Sequence, residues 1–161
     1  MTIIAFDPST TRMGICWLYD EQTYHAHSIR LDGEGRDGLL ARMLRALQAL
    51  PSIANVNAVY VESAGSFYGK GRTSYATLSK LAMMRGAILG HYLTNRVTTV
   101  ALVDVSTVRA ALCGKASAGK GEVQTALRQA GFDLSDDGGK IDDDAWDALA
   151  LAVWAYRKNL P

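Results

Sequence analysis

The sequence lacks what several large classes of protein require. It has only two cysteines, Cys16 and Cys113, each alone in an apolar context without metal-ligand spacing, so both read as buried reduced thiols. No run of about eighteen apolar residues occurs, which excludes a membrane-spanning helix. No basic leader or cleavage site precedes the opening MTIIAFD, which points away from secretion and towards an intracellular protein. Repeats, low-complexity tracts and linker-like boundaries are also missing, and 161 residues suit one compact α/β domain rather than two. With 48% hydrophobic and 20% charged residues, the composition is that of a globular chain and excludes a disordered or fibrous one.

Acidic residues are scarce in the middle of the chain. Between Ser63 and Lys120 the only acid is Asp104, against Lys70, Arg72, Lys80, Arg85, Arg96, Arg109, Lys115 and Lys120. The acids concentrate elsewhere, above all from Asp133 to Asp147, and the net charge of +1 hides this polarity. A basic middle with an acidic cluster behind it suits an enzyme that grips phosphates and collects cations at one spot. An ordinary solvated surface has the same look, so charge alone does not decide.

Along the chain, Thr2–Asp7 is continuously apolar up to its last residue and reads as a buried strand. Asp7–Thr11 is a turn, and Met13–Tyr19 and Gln22–Leu31 complete an antiparallel meander. Leu39, Leu40, Met43, Leu44, Leu47 and Leu50 recur at helical spacing, and Pro51 closes that helix. Ala58–Glu62 is a short strand ending on a carboxylate, followed by the glycine-rich basic loop SAGSFYGKGR. Tyr75–Leu93 is a long helix with apolar groups on more than one face, hence central or part of a subunit interface. Thr98–Val103 is a further strand, and Ser106 is placed to cap a short helix through Leu112. Gly114–Gly121 reads as a connector, Glu122–Ala130 as a helix, and Asp143–Tyr156 as the last helix. The order predicts a mixed sheet flanked by helices.

Four carboxylates stand out: Asp7, Glu62, Asp144 and Asp147. Asp7 and Glu62 end two apolar strands, where burial is costly unless a cation or hydrogen bonds compensate. Asp144 and Asp147 lie three apart at a helix start and share a face. Oxygen ligands converging from such elements suit Mg²⁺ or Mn²⁺, and two such ions can activate water and stabilise the leaving oxygen of a phosphodiester. Simpler roles compete. Asp7 before Pro-Ser can cap a turn, Glu62 can be a strand-end surface residue, and Asp142, Asp143 and Asp144 can cap a helix. Spacing alone does not bring the four together.

Five segments do more. IIAFDPSTTRMGICWL resembles the opening signature of the RuvC family of Holliday junction resolvases, and VYVES resembles that family's second acidic strand. SKLAMMRGAIL is similar to its next helix, with an Arg-Gly pair at Arg85-Gly86. STVRAALCGKASAGKGEVQTAL is similar to its basic helix, loop and Lys-x-x-Val-Gln segment, and DDAWDALALAVW to its closing helix. The five blocks span nearly the whole chain in the family's order.

The resemblance implies an RNase H-like fold with a five-stranded mixed sheet. It also implies a homodimer formed through the long helix, and Mg²⁺-dependent cleavage of four-way DNA junctions to 5′-phosphate and 3′-hydroxyl ends, with Mn²⁺ able to substitute. By the same resemblance Asp7 bridges two ions, Glu62, Asp144 and Asp147 complete the site, and Lys120 and Arg109 face the phosphate. Lys115, Lys70 and Arg72 would add DNA contacts. Phe67 or Tyr68 would supply the aromatic that stacks at the opened junction. Ser9 replaces the family's usual glycine, and the loop after Glu62 is a few residues longer, which leaves junction selectivity open. Short size and a divergent loop are similar to bacteriophage members, placing the protein in the cytoplasm of a bacterial cell or an infected host.

Rival motifs are weaker. Gly114–Lys120 matches G-x-x-x-x-G-K, but Gly121 stands where a P-loop needs Ser or Thr, and the preceding segment reads as a helix, so no nucleotide cofactor is expected. DPSTTRMG also resembles the first phosphate loop of sugar kinases and actin-like ATPases, which need two such domains. A junction-binding protein without catalysis, and a nuclease acting on RNA or on branched DNA generally, remain as alternatives.

Overall fold

The computed structural model describes residues 1–31, 38–51, 55–63, 75–134 and 142–159. Among the described residues ten elements follow one another: β1 (Ile3–Pro8), β2 (Arg12–Leu18), β3 (Tyr24–Arg30), α1 (Gly38–Gln48), β4 (Ala58–Ser63), α2 (Tyr75–Thr94), β5 (Thr99–Asp104), α3 (Val105–Cys113), α4 (Lys120–Gln129) and α5 (Asp143–Lys158). The five strands form one sheet in the order β3-β2-β1-β4-β5. β1, β2 and β3 are the antiparallel meander, while β4 runs parallel to both β1 and β5. The mixed five-stranded sheet expected from the sequence is therefore present.

Strand alternation sorts the core into two layers, because successive side chains point to opposite faces. Ile4, Phe6, Met13, Ile15, Val59 and Val61 pack with α1 and α2, around buried Met84, Ile88 and Tyr92. Ile3, Ala5, Cys16, Leu18, Ala58 and Tyr60 pack with α3, α4 and α5. α5 is the central helix of that second layer. Its run from Ala145 to Val153 has eight buried apolar residues besides the half-buried Asp147, which explains why this segment is rich in alanine: small side chains let the helix lie close on the sheet.

Two expectations need correction. Ser106 does not cap α3. β5 runs straight into the helix, Asp104 occupies the N-cap position, and its carboxylate accepts a hydrogen bond from the Ser63 hydroxyl instead of capping the helix. α4 starts at Lys120, not Glu122, because the Glu122 carboxylate turns back to accept the Gly119 N–H at 2.8 Å and closes the first turn. Lys120 thus belongs to a helix end and not to a flexible connector. The segment before Gly114 is helical, as α3, which removes the strand that a P-loop requires.

Candidate active site

The sheet register brings two of the four carboxylates side by side. β1 and β4 are paired from Ile3–Ala58 to Phe6–Val61, so Asp7 and Glu62 are the next residues on neighbouring parallel strands. By alternation both lie on the face that carries Ala5 and Tyr60, which is the face covered by α5. Asp144 and Asp147, in the first two turns of α5, come down on the same end of the sheet.

Gly14 makes this docking possible. It lies opposite Asp7 on β2, and a Cβ there would stand 1.9 Å from the Asp144 carbonyl oxygen and 2.5 Å from its carbon. Only a residue without a side chain lets the first turn of α5 approach the strand this closely. The helix start is pinned as well: the Asp142 carboxylate accepts the Asp144 N–H at 3.4 Å and the Ser28 hydroxyl at 3.2 Å, and is ion-paired with Arg12.

The electrostatics record the convergence. Burial raises the Asp7 carboxyl well above its ordinary range, and the charges of Glu62, Asp147 and Asp144 add to the rise. Glu62 is pushed up to about 7 by burial and by Asp147, against the pull of Arg109 and Arg85. Asp144 is also raised, by burial first. Lys120 answers this negative cluster. Burial works against its charge, but its 2.8 Å ion pair with Asp147 and the further charges of Asp143, at 3.7 Å, and Asp7 raise its pKa nonetheless. Arg109 on α3 faces Glu62, and its Nε is buried without a hydrogen-bond partner among the described residues.

Asp7, Glu62 and Asp144, whose proton affinities rise through burial and then through neighbouring carboxylates, form with Asp147 a set of hard oxygen donors that suits Mg²⁺ or Mn²⁺. Among the described residues no three His, Cys, Asp or Glu side chains close on a single point. The sequence-predicted residues divide accordingly. Asp7, Glu62, Asp144, Asp147, Lys120 and Arg109 share one site. Lys115 is paired with Glu122 at 2.5 Å, and Phe67, Tyr68, Lys70 and Arg72 lie outside the described residues. The cap reading of Asp142 is borne out, since it is the N-cap of α5, whereas Gly14 and Arg12 were given no role of their own, although the Arg-x-Gly of the first turn carried the signal for Gly14.

The burial of Glu62 and the charge of Asp147 beside it have a measurable consequence. Glu62 binds its proton more tightly in the folded state than in the unfolded chain, where its ordinary value is 4.5. Glu62 therefore contributes a loss of stability to the metal-free protein as pH rises from 4.5 to about 7, and that contribution is complete above this range. Glu62→Gln should raise the melting point in EDTA at about pH 8, by an amount equivalent to about 1–3 kcal/mol, and leave it unchanged at pH 4.5. Thermal melts of both proteins at the two pH values test this, and equal stability at high pH would show that the ionised Glu62 bears no penalty from burial or from its neighbours.

No protein-family model matches the chain, and no curated protein matches it in sequence. Solved structures do match it. Thermus thermophilus RuvC in complex with Holliday junction substrate is 21% identical, with a TM-score of 0.72 over 98% of this chain and 96% of that one. A second Thermus thermophilus RuvC structure is 23% identical, with a TM-score of 0.67 over the same shares. The yeast mitochondrial Holliday junction resolvase Ydc2 is 10% identical, with a TM-score of 0.59 over 93% of this chain and 76% of that one. The chain thus has the RNase H-like fold. The likeness to the RuvC structures runs over nearly the full length of both chains.

Proposed function

We propose that the protein is a divalent-metal-dependent endonuclease that resolves four-way DNA junctions by hydrolysing a phosphodiester in each of two strands. The observation that carries the proposal is the gathering of Asp7, Glu62, Asp144 and Asp147 at one end of a sheet with this fold, with Lys120 and Arg109 beside them. A phosphodiester presented here meets Lys120 and Arg109 as its fixed positive charges. Lys120 is positioned to stabilise charge building on the phosphate, and the Arg109 guanidinium to hold a phosphate oxygen pair. Asp7, Glu62, Asp144 and Asp147 would hold the ions, which when bound supply Lewis acidity and a lowered water pKa. Asp7, beside Glu62 on the neighbouring strand and opposite Gly14, against which Asp144 packs, would contribute to holding them.

A four-way junction has two strands to cut, which calls for two sites and hence two copies of the chain. The outer face of α2 supports such a pairing: Met83 and Leu93 are more than half exposed, and Gly86 and Gly90 leave open space for a close neighbour. Junction contacts by Phe67, Tyr68, Lys70, Arg72 and Lys115 remain part of the proposal.

The test is cleavage of end-labelled four-way junction, Y-fork and linear duplex DNA with Mg²⁺ or with EDTA. Metal-dependent paired nicks confined to the four-way junction are expected. Equal cutting of forks would make the protein a broader debranching nuclease, and tight binding without any cutting would make it a junction-binding protein.

A further inference from the structure

Arg85 lies on α2 between buried Met84 and the outward face at Gly86, so it belongs to the layer opposite the carboxylates. Its Nε nevertheless donates a 2.7 Å hydrogen bond to the backbone carbonyl of Glu62, at the end of β4. Its charge acts on Glu62 and Asp7 together. Burial alone weakens the hold of a guanidinium on its proton, and Arg85 is lowered by burial here, with the two carboxylates pulling the other way. A half-buried cation with one directed bond to this strand end has a specific task.

Resting on the nuclease assignment, we infer that Arg85 is a positioning residue: it fixes the end of β4 from the far face of the sheet and so holds Glu62 beside Asp7 for metal ligation. Two features favour this over simple packing. The bond goes to the main chain of the candidate ligand itself, which sets where the Glu62 Cα sits. The guanidinium also offsets part of the repulsion between Glu62 and Asp7, which otherwise drives the two apart. Because the same helix presents Met83 and Leu93 outward, Arg85 also links the proposed pairing face to the metal site within one residue of Gly86.

Groups that orient metal ligands from behind typically change metal affinity by about 10–100-fold when removed. Arg85→Gln should therefore weaken Mn²⁺ binding by about tenfold or more, measured by titration calorimetry on the full chain without DNA. Arg85→Lys keeps the charge but loses the planar Nε donor, and should fall between Arg85→Gln and the native protein. Circular dichroism should show native secondary structure for both, and affinity for junction DNA in EDTA should be unchanged. A purely structural arginine would lower the melting point and leave the Mn²⁺ dissociation constant where it was, and that result overturns the inference. Should Arg85→Gln fail to fold, Arg85→Lys decides alone: native Mn²⁺ affinity in that variant refutes the inference. Asp7→Asn serves as the reference. If the native chain shows no Mn²⁺ binding that Asp7→Asn removes, the nuclease assignment itself falls, whereas a normal reference with an unaffected Arg85→Gln removes Arg85 only.

Discussion

Asp7→Asn is expected to slow junction cleavage by about 10³-fold or more, while binding to the uncut junction is kept or tightened. The size follows from what the residue does. Asp7 sits beside Glu62 and within reach of the charges of Asp144, Asp147 and Lys120, so it is central to the candidate ligand set. A metal ion contributes several kcal/mol of charge stabilisation in the transition state, and each 1.36 kcal/mol is about tenfold in rate. Binding behaves differently, because affinity for DNA comes from cations neutralising phosphates, and Asn removes one of the negative charges that oppose this. Gel-shift and single-turnover cleavage assays on the same junction separate the two effects. Cleavage at the native rate would show that Asp7 holds no essential ion.

The second large effect is expected from Gly14→Ala, a change of one methyl group that touches no substrate. The added carbon would lie 1.9 Å from a main-chain oxygen of Asp144, and a backbone atom cannot swing aside as a side-chain tip can. The start of α5 must retreat from β2 by more than about 1 Å to restore van der Waals contact. Overpacking of this kind costs about 1–3 kcal/mol, which corresponds to a fall in melting point of roughly 5 °C for a chain of this length. Displacing Asp144 from Asp7 by this amount should cut the cleavage rate about 10²-fold. Melting curves and cleavage rates of the variant check both numbers. A variant that melts and cuts like the native protein would mean that α5 does not depend on the bare backbone at Gly14.

Much of this was legible in the chain because two different patterns carry it. The continuous apolar runs IIAF and AVYV placed Asp7 and Glu62 at strand ends, and the sheet put those ends on adjacent parallel strands. The three-residue spacing of Asp144 and Asp147 gave a shared helix face. What the sequence could not supply was the meeting of these elements. That depends on β4 crossing to pair with β1, and on how closely α5 lies on β2. The role of Gly14 was hidden for the same reason: a glycine after Thr-Arg-x is visible, but the carbonyl it must admit comes from a residue far along the chain. Ser106 was misplaced because local cap preference ignores that β5 continues directly into α3, with Asp104 already engaged by Ser63. Arg85 was noticed only as one of the basic residues of the middle segment and as part of an Arg-Gly pair, since its bond to the Glu62 carbonyl crosses from one layer of the fold to the other.

The most direct measurement is anomalous scattering from crystals of the native chain soaked in Mn²⁺. Peaks within about 2.1 Å of the carboxylate oxygens, with Asp7 shared between two of them and Glu62, Asp144 and Asp147 completing the shells, are the predicted result. Manganese bound elsewhere on the chain, with no peak at Asp7, would contradict it.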